Sequence, residues 1–164
     1  MHLNRLERQK LIPLDINECW NFFKDPANLA EITPDEMGFK ITSPPNKGEM
    51  YEGQIITYTV KPVLGIPINW MTEITSVNAP YRFVDTQLVG PYKVWHHQHH
   101  FVETSQGTMM TDIVNYSIPF GPLGGIADKL FVQAKLKAIF DYRTEKINQI
   151  FNISESNLIT KLTG

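Results

Sequence analysis

Four of the chain's five histidines lie within five residues, in the segment KVWHHQHHF at positions 93–101. Clustered histidines can bind a metal, exchange protons near neutral pH, or supply polar groups inside a pocket. In a β-strand, successive side chains point to opposite faces. His97 and His99 therefore share one face of the predicted strand with Trp95 and Phe101.

Large aromatic side chains bury the most apolar surface, so we predict that the face with His97 and His99 points into the protein. His96 and His100 then lie on the solvent side of the same strand. The flanking aromatic residues favour core packing over a metal centre, and the chain has a single cysteine and no helical H-x-x-x-H pattern. We therefore predict no bound metal and no cofactor.

Two neighbouring segments, YRFVDTQLV and TMMTDIVNYSI, also alternate and would each carry a carboxylate inward. The inward side chains that we predict for these two strands are Phe83, Asp85, Gln87, Met110, Asp112, Val114 and Tyr116. The alternation therefore predicts that Asp85, His97, His99 and Asp112 meet on the inner wall of three adjacent strands.

A long C-terminal segment, Ile126 to about Phe151, contains neither glycine nor proline and predicts one long helix. In its second half the apolar stripe at helical spacing consists of Leu136, Ile139, Phe140, Ile147 and Ile150. Arg143 lies in the middle of this stripe. Because an unpaired buried charge is very costly, we expect Arg143 to pair with Asp85 or Asp112, with a histidine in the same network.

The elements that must position these side chains follow from the hydrophobic pattern. A first strand is predicted at Arg5–Ile12, followed by a helix capped by Asp15 and a second short helix that ends before Pro34. Strand-like segments separated by Gly and Pro then continue from Phe39. The order predicts an α+β fold, in which a curved antiparallel sheet of about six or seven strands grips the C-terminal helix.

Length and composition are those of one globular domain. The chain has 164 residues, of which 42% are hydrophobic and 20% charged, with a net charge of −2. We expect one domain at residues 1–151 and a tail at 152–164. No basic stripe indicates nucleic acid, and neither the polar start nor any apolar run predicts a signal peptide or membrane insertion. We expect a cytoplasmic protein, either a monomer or a weak homodimer.

The segments RFVDTQLVGPYKVWHHQHHF, with its W-x-H-x-H-x-F pattern, GTMMTDIVNYSIPFGPLG and IFDYR carry a family resemblance. With the order of elements, they resemble the START-like or helix-grip superfamily, which includes the birch-pollen allergen fold, polyketide cyclase/dehydrases and lipid-transport proteins. The most similar subgroup consists of bacterial ligand-binding proteins sometimes labelled cell-division inhibitors. The resemblance implies a hydrophobic small molecule bound between sheet and helix, and only some members of the superfamily are enzymes.

Three functions follow as hypotheses. The first is binding of a hydrophobic or amphipathic small molecule in a cavity between the sheet and the C-terminal helix. The second is a cyclase/dehydrase-type reaction that uses His97, His99, Asp85 or Asp112 as acid and base, so enzymatic activity stays open. The third is a regulatory domain that binds a partner. The same polar cluster could also act only as a network that fixes the helix on the sheet.

The binding hypothesis assigns a set of cavity residues from strand parity and the helical stripe. The predicted ligand-binding residues are Trp70, Phe83, Asp85, Gln87, Trp95, His97, His99, Phe101, Met110, Asp112, Val114, Tyr116, Leu136, Ile139, Phe140 and Arg143. The loop FGPLGG lacks the glycine spacing of a phosphate-binding loop, and we expect it to form the entrance, with Phe120 and Leu123 able to gate it.

Overall fold

The computed structural model describes residues 2–44, 48–61, 65–119 and 131–153. The strands in this part of the chain are β1 (Asn4–Ile12), β2 (Lys40–Ile41), β3 (Gln54–Val60), β4 (Ile68–Asn78), β5 (Arg82–Val89), β6 (Val94–Thr104) and β7 (Gly107–Ser117). The helices are α1 (Ile16–Phe23), α2 (Pro26–Glu31) and α3 (Gln133–Ile150), and a 3₁₀ turn covers Asp35–Met37.

All neighbouring strands are antiparallel, in the order β1-β7-β6-β5-β4-β3-β2. The sheet is curved, two short helices follow the first strand, and a helix ends the described chain. These features confirm the predicted α+β class and the helix-grip arrangement. β6 lies between β5 and β7 in the sheet, so the segment with four histidines is flanked by the two strands that carry Asp85 and Asp112.

The start of α1 confirms the predicted cap. The Asp15 carboxylate accepts hydrogen bonds from the backbone N–H groups of Asn17 and Glu18 at 2.8 and 3.0 Å, and the Glu18 carboxylate accepts from the Asp15 N–H. This reciprocal pattern satisfies donors that the first helical turn leaves free. Pro26 is the first residue of α2, where its missing N–H costs nothing.

A tight connection after β6 fixes how that strand pairs with β7. Gly107 has a φ of +133°, and a Cβ atom there would lie 2.3 Å from the Ile12 carbonyl oxygen, so glycine is required. The resulting register places His99 opposite Asp112 and His97 opposite Val114. On the other side of β6, His97 faces Asp85. The pairing of the three strands therefore makes Asp85, His97, His99 and Asp112 neighbours on one face of the sheet.

Helix α3 joins two apolar clusters on the inner face of the sheet. Leu136 and Phe140 pack with Val114 and Tyr116, whereas Ile147 belongs to a larger cluster that includes residues of α1. Between these contacts the helix has one buried polar residue, Arg143, at the position that the helical stripe predicted.

Some predicted boundaries lie outside the described residues. Helix α3 begins at Gln133, and the predicted earlier part of the helix from Ile126 and the entrance loop with Phe120 and Leu123 fall in residues 120–130. Most of the predicted tail also falls outside, so the domain boundary stays a prediction. Of the helices in the described part of the chain, none has the length and apolar character needed to cross a membrane.

Candidate functional site

Asp85, His97, His99 and Asp112 form a closed square, which we call the His–Asp cluster. The Oδ2 atom of Asp85 lies 3.4 Å from His97 Nδ1 and 3.1 Å from His99 Nε2. The Oδ1 atom of Asp112 lies 2.9 Å from His97 Nε2 and 3.0 Å from His99 Nδ1. Each imidazole therefore lies between two carboxylates, as strand parity predicted.

The cluster is almost sealed from solvent. His97, His99 and Asp112 are 5%, 7% and 6% exposed, and the Asp85 side chain is 16% exposed. The Phe83 ring stacks on His99 with centroids 4.0 Å apart, and the two imidazoles lie 3.8 Å from each other. On the outer face of the same strand, His96, Gln98 and His100 are partly exposed and contact one another.

Burial and charge set the ionisation of the cluster. Burial works against both carboxylates, but the histidine charges and hydrogen bonds outweigh it and hold the pKa of Asp85 and of Asp112 below the ordinary range. Burial, reinforced by the charge of His99, lowers the pKa of His97. For His99, burial is outweighed by hydrogen bonds and attraction from the two carboxylates, and the pKa is raised.

The shifts and the contacts distinguish the two rings. The lowered pKa of His97 favours its neutral form, and its shortest contact joins Nε2 to Asp112 Oδ1 at 2.9 Å. The raised pKa of His99 favours its protonated form, and its Nε2 lies 3.1 Å from Asp85 Oδ2. His99 Nδ1 lies 3.0 Å from Asp112 Oδ1 but without hydrogen-bond geometry.

Arg143 is buried at 8% exposure, but the predicted pair with Asp85 or Asp112 is wrong. One oxygen of each carboxylate contacts both histidines, and Arg143 forms no ion pair with any residue that the structure describes. Its Nε is buried without a hydrogen-bond partner. The guanidinium carbon instead lies 4.8 Å from the centre of the Phe140 ring, a cation–π contact from the preceding turn of α3.

A concave space of about 180 Å³ lies between the sheet, α3 and the α1–α2 segment. The predicted binding residues that line it are Trp70, Phe83, Asp85, Trp95, His97, His99, Leu136, Ile139, Phe140 and Arg143. That these residues bind a ligand stays a prediction. The carboxylate of Asp85 and the guanidinium of Arg143 are charged groups in a wall that is mainly apolar.

Six predicted binding residues do not line this space. Phe101, Met110, Val114 and Tyr116 are at most 2% exposed and belong to the two packed clusters, because α1 and the two ends of α3 fill the space above them. Asp112 is covered by the two imidazoles. The remaining residue, Gln87, exchanges hydrogen bonds with the Tyr92 backbone and so holds the loop between β5 and β6.

The alternation of side chains on β6 did not identify the lining residues that come from other elements. The further lining residues include Phe22, Phe23, Leu29, Ile32, Met37, Phe39, Tyr58, Thr72 and Tyr92. Within this wall, Thr72 accepts a hydrogen bond from the Trp70 indole at 3.0 Å and lies 3.1 Å from the Tyr58 hydroxyl. Applying the same alternation to β3 and β4 would have grouped Tyr58, Trp70 and Thr72 as inward residues.

Metal binding at the cluster is the first point that can be tested. Asp85, His97 and His99 present ligand atoms within 4.8 Å of one another. Their nitrogens already face carboxylate oxygens, and Phe83 covers His99, so we expect no stoichiometric transition metal in protein purified without a histidine tag. Elemental analysis checks this, with His100→Ala as the control. A stoichiometric metal that disappears in His97→Ala and persists in His100→Ala would contradict the prediction.

Comparisons with known proteins find similarity in fold but not in sequence family. No family model and no curated protein sequence matches the chain. Among solved structures, protein CV1439 from Chromobacterium violaceum matches with a TM-score of 0.68 and 12% identity over 92% of this chain and 99% of that one. Protein Ms6760 from Mycobacterium smegmatis matches with a TM-score of 0.62 and 16% identity over 89% and 92%. TTHA0849 from Thermus thermophilus matches with 0.60 and 16% over 90% and 99%. These similarities are consistent with a helix-grip fold.

Proposed function

We propose that this protein binds a hydrophobic or amphipathic small molecule in the space between the sheet and α3. The observation that carries the proposal is the composition of the wall. Aromatic and aliphatic side chains from β3, β4, β5, β6, α3 and the α1–α2 segment surround the space, and few polar groups interrupt them. Apolar walls with a small number of placed polar groups are typical of ligand sites.

The size of the space indicates a compact ligand. A volume of about 180 Å³ is similar to that of an engineered apolar cavity that takes one benzene ring. The walls offer aromatic faces at several angles: Trp70 meets the rings of Trp95 and Tyr92 at 89° and 61°. Such a surface suits an aromatic ring or a short hydrocarbon chain.

The contacts of the two histidines support binding over acid–base catalysis. A general base needs a lone pair within hydrogen-bond reach of the substrate proton. Each ring nitrogen of His97 and His99 lies within 3.4 Å of a carboxylate oxygen of the cluster. Both rings are therefore engaged within the cluster, and Asp85 is the member that the cavity reaches most directly, with its side chain 16% exposed. We infer that the cluster shapes and polarises one wall of the binding space.

Filling the space with one larger side chain tests the proposal. Ile139 is half-buried on α3 and lines the space, whereas its neighbour Ala138 is exposed. We expect Ile139→Trp to abolish binding of 3-phenyl-1-propanol, because the indole occupies the volume that the ligand needs. Ala138→Trp should bind the alcohol like the wild-type protein. Calorimetric titration measures the affinities, and native mass spectrometry shows whether a small molecule co-purifies with each variant.

Each outcome of this test is informative once thermal unfolding shows that both variants are folded. Binding by the wild-type protein and by Ala138→Trp, with loss in Ile139→Trp, supports the site. Equal binding in all three proteins would place the ligand elsewhere. If the wild-type protein carries no co-purified molecule and binds no apolar probe, the proposal is wrong.

A further inference from the structure

Two lysines and one arginine line the binding space, and both lysines already have carboxylate partners. Lys24 Nζ lies 2.8 Å from a carboxylate oxygen of Glu49, and Lys135 Nζ lies 3.3 Å from one of Glu36. Both glutamates are largely exposed, so these pairs lie towards the rim. Arg143 is the third cation, and the described residues provide it with no anionic partner.

Arg143 is buried, so the lack of an anionic partner among the described residues is costly in free energy. Arg143 is only 8% exposed to solvent, and an arginine side chain stays charged in proteins at any ordinary pH. Its Nε is enclosed without a hydrogen bond, and its guanidinium contacts the face of Phe140. Buried charges in proteins are normally paired, whereas no described residue forms an ion pair with this guanidinium.

The nearest charged cluster does not supply that component. Asp85 Oδ2 and Asp112 Oδ1 each contact both imidazoles, and neither carboxylate lies within ion-pair distance of Arg143. A direct, hydrogen-bonded anion would satisfy the guanidinium far better, because a planar carboxylate matches its parallel N–H groups.

Tyr58 is a second polar group in the lining of the space. Tyr58 lines the wall, and burial and the charge of Asp85 raise its pKa although Arg143 opposes the shift. The phenol is therefore neutral and keeps its proton at physiological pH. The Tyr58 hydroxyl lies 3.1 Å from Thr72 Oγ1, which also accepts a hydrogen bond from the Trp70 indole. These neighbouring side chains orient the Tyr58 hydroxyl.

We propose that the ligand is an apolar molecule with one carboxylate group, and that Arg143 binds this carboxylate inside the cavity. The proposal rests on the binding function proposed above and specifies its ligand class. A single unpaired guanidinium matches a single negative charge. A phosphate monoester would bring nearly two charges into an apolar space whose other cations are already paired. The apolar remainder of the ligand would then lie against the aromatic wall.

The test compares two ligands that differ in one polar group. 3-Phenylpropanoate and 3-phenyl-1-propanol share a ring and a chain, but only the first is an anion at neutral pH. Calorimetric titration with the wild-type protein should show tighter binding of the carboxylate. In Arg143→Met we expect the affinity for the carboxylate to fall by about tenfold to a hundredfold, as for a lost charged hydrogen bond, and the affinity for the alcohol to stay unchanged.

Matched variants separate the guanidinium from general effects of charge and folding. Lys137→Met removes a cation of the same helix that is 65% exposed, pairs with Asp141 and does not line the space, and it should bind both ligands like the wild-type protein. Arg143→Gln keeps a polar side chain of similar length and should lose the carboxylate preference as Arg143→Met does. Thermal unfolding identifies variants that are folded, and we expect Arg143→Met to be no less stable than the wild-type protein because the charge that it removes has no partner.

The result can overturn this inference without overturning the binding function. If the wild-type protein binds the alcohol as tightly as the carboxylate, or if the folded Arg143 variants bind the carboxylate unchanged, Arg143 is not an anion site and the binding function stands. If the wild-type protein binds neither ligand nor any other apolar probe, both proposals are wrong.

Discussion

Replacing Asp112 by asparagine is expected to lower the free energy of unfolding by about 3–5 kcal/mol, the usual effect of removing one member of a buried ion pair. Asp112 is 6% exposed, and one of its carboxylate oxygens lies 2.9 and 3.0 Å from nitrogens of His97 and His99. An asparagine keeps the shape but removes the charge. His97 and His99 would then keep only the Asp85 carboxylate as an anionic neighbour, in a site that is almost closed to water.

The matched control is Asp141→Asn on the outer side of α3. Asp141 pairs with Lys137 at 2.6 Å and lies 3.9 Å from Arg8, but the Asp141 and Lys137 side chains are 47% and 65% exposed, and exposed pairs contribute little. Urea denaturation of the three proteins at neutral pH compares their midpoints. A small shift for Asp141→Asn and a large one for Asp112→Asn is the expected pattern. Equal shifts would show that the cluster does not stabilise the fold.

The pH dependence of this difference follows from the shifted pKa values. The Asp112 pKa is below its ordinary value of 3.8, so its contribution is fully present above that pH and is lost as the pH falls through the lower folded value. The His99 pKa is above its ordinary value of 6.5, so its contribution is present below pH 6.5 and is lost as the pH rises through the higher folded value. The stability difference between the wild-type protein and Asp112→Asn should therefore be largest between these two limits.

Replacing Phe101 by alanine is expected to destabilise the protein by a similar amount, about 3–5 kcal/mol, through a cavity in the core. Phe101 is 1% exposed and does not line the binding space. Its ring packs against those of Trp20, Phe23 and Phe83, with centroids 6.0, 5.6 and 6.3 Å away. The surrounding strands and α1 cannot collapse into the volume left by a phenyl ring without losing these contacts.

Val102 offers the control because it follows Phe101 on β6 but points to the other face of the sheet. It is 59% exposed, so Val102→Ala should change the free energy of unfolding by less than about 0.5 kcal/mol. Chemical denaturation gives both values. Comparable losses in the two variants would mean that the strand itself, and not the buried ring, determines the effect. A mild Phe101→Ala phenotype would indicate that the core around α1 relaxes readily.

The sequence by itself determined which side chains share a face. The alternation of β6 placed His97 and His99 inward, and the same alternation on β5 and β7 brought Asp85 and Asp112 beside them. The helical stripe likewise placed Arg143 on the buried side of α3. These predictions succeeded because the periods of strand and helix are properties of the backbone, which local sequence reveals directly.

Only the tertiary structure decided which of these groups are partners. Arg143 and the two carboxylates all point inward, and sequence pattern alone paired them. The hairpin register instead brings the histidines within hydrogen-bond distance of both carboxylates, and Arg143 on the helix forms no ion pair with either of them. Likewise, Val114 and Tyr116 face inward but are fully packed in an apolar cluster, whereas Trp70 and Trp95 line the binding space. The distance between a helix and a sheet depends on how side chains that are far apart in the chain fill the volume between them. The periodic pattern of a single strand or helix carries no information about that volume.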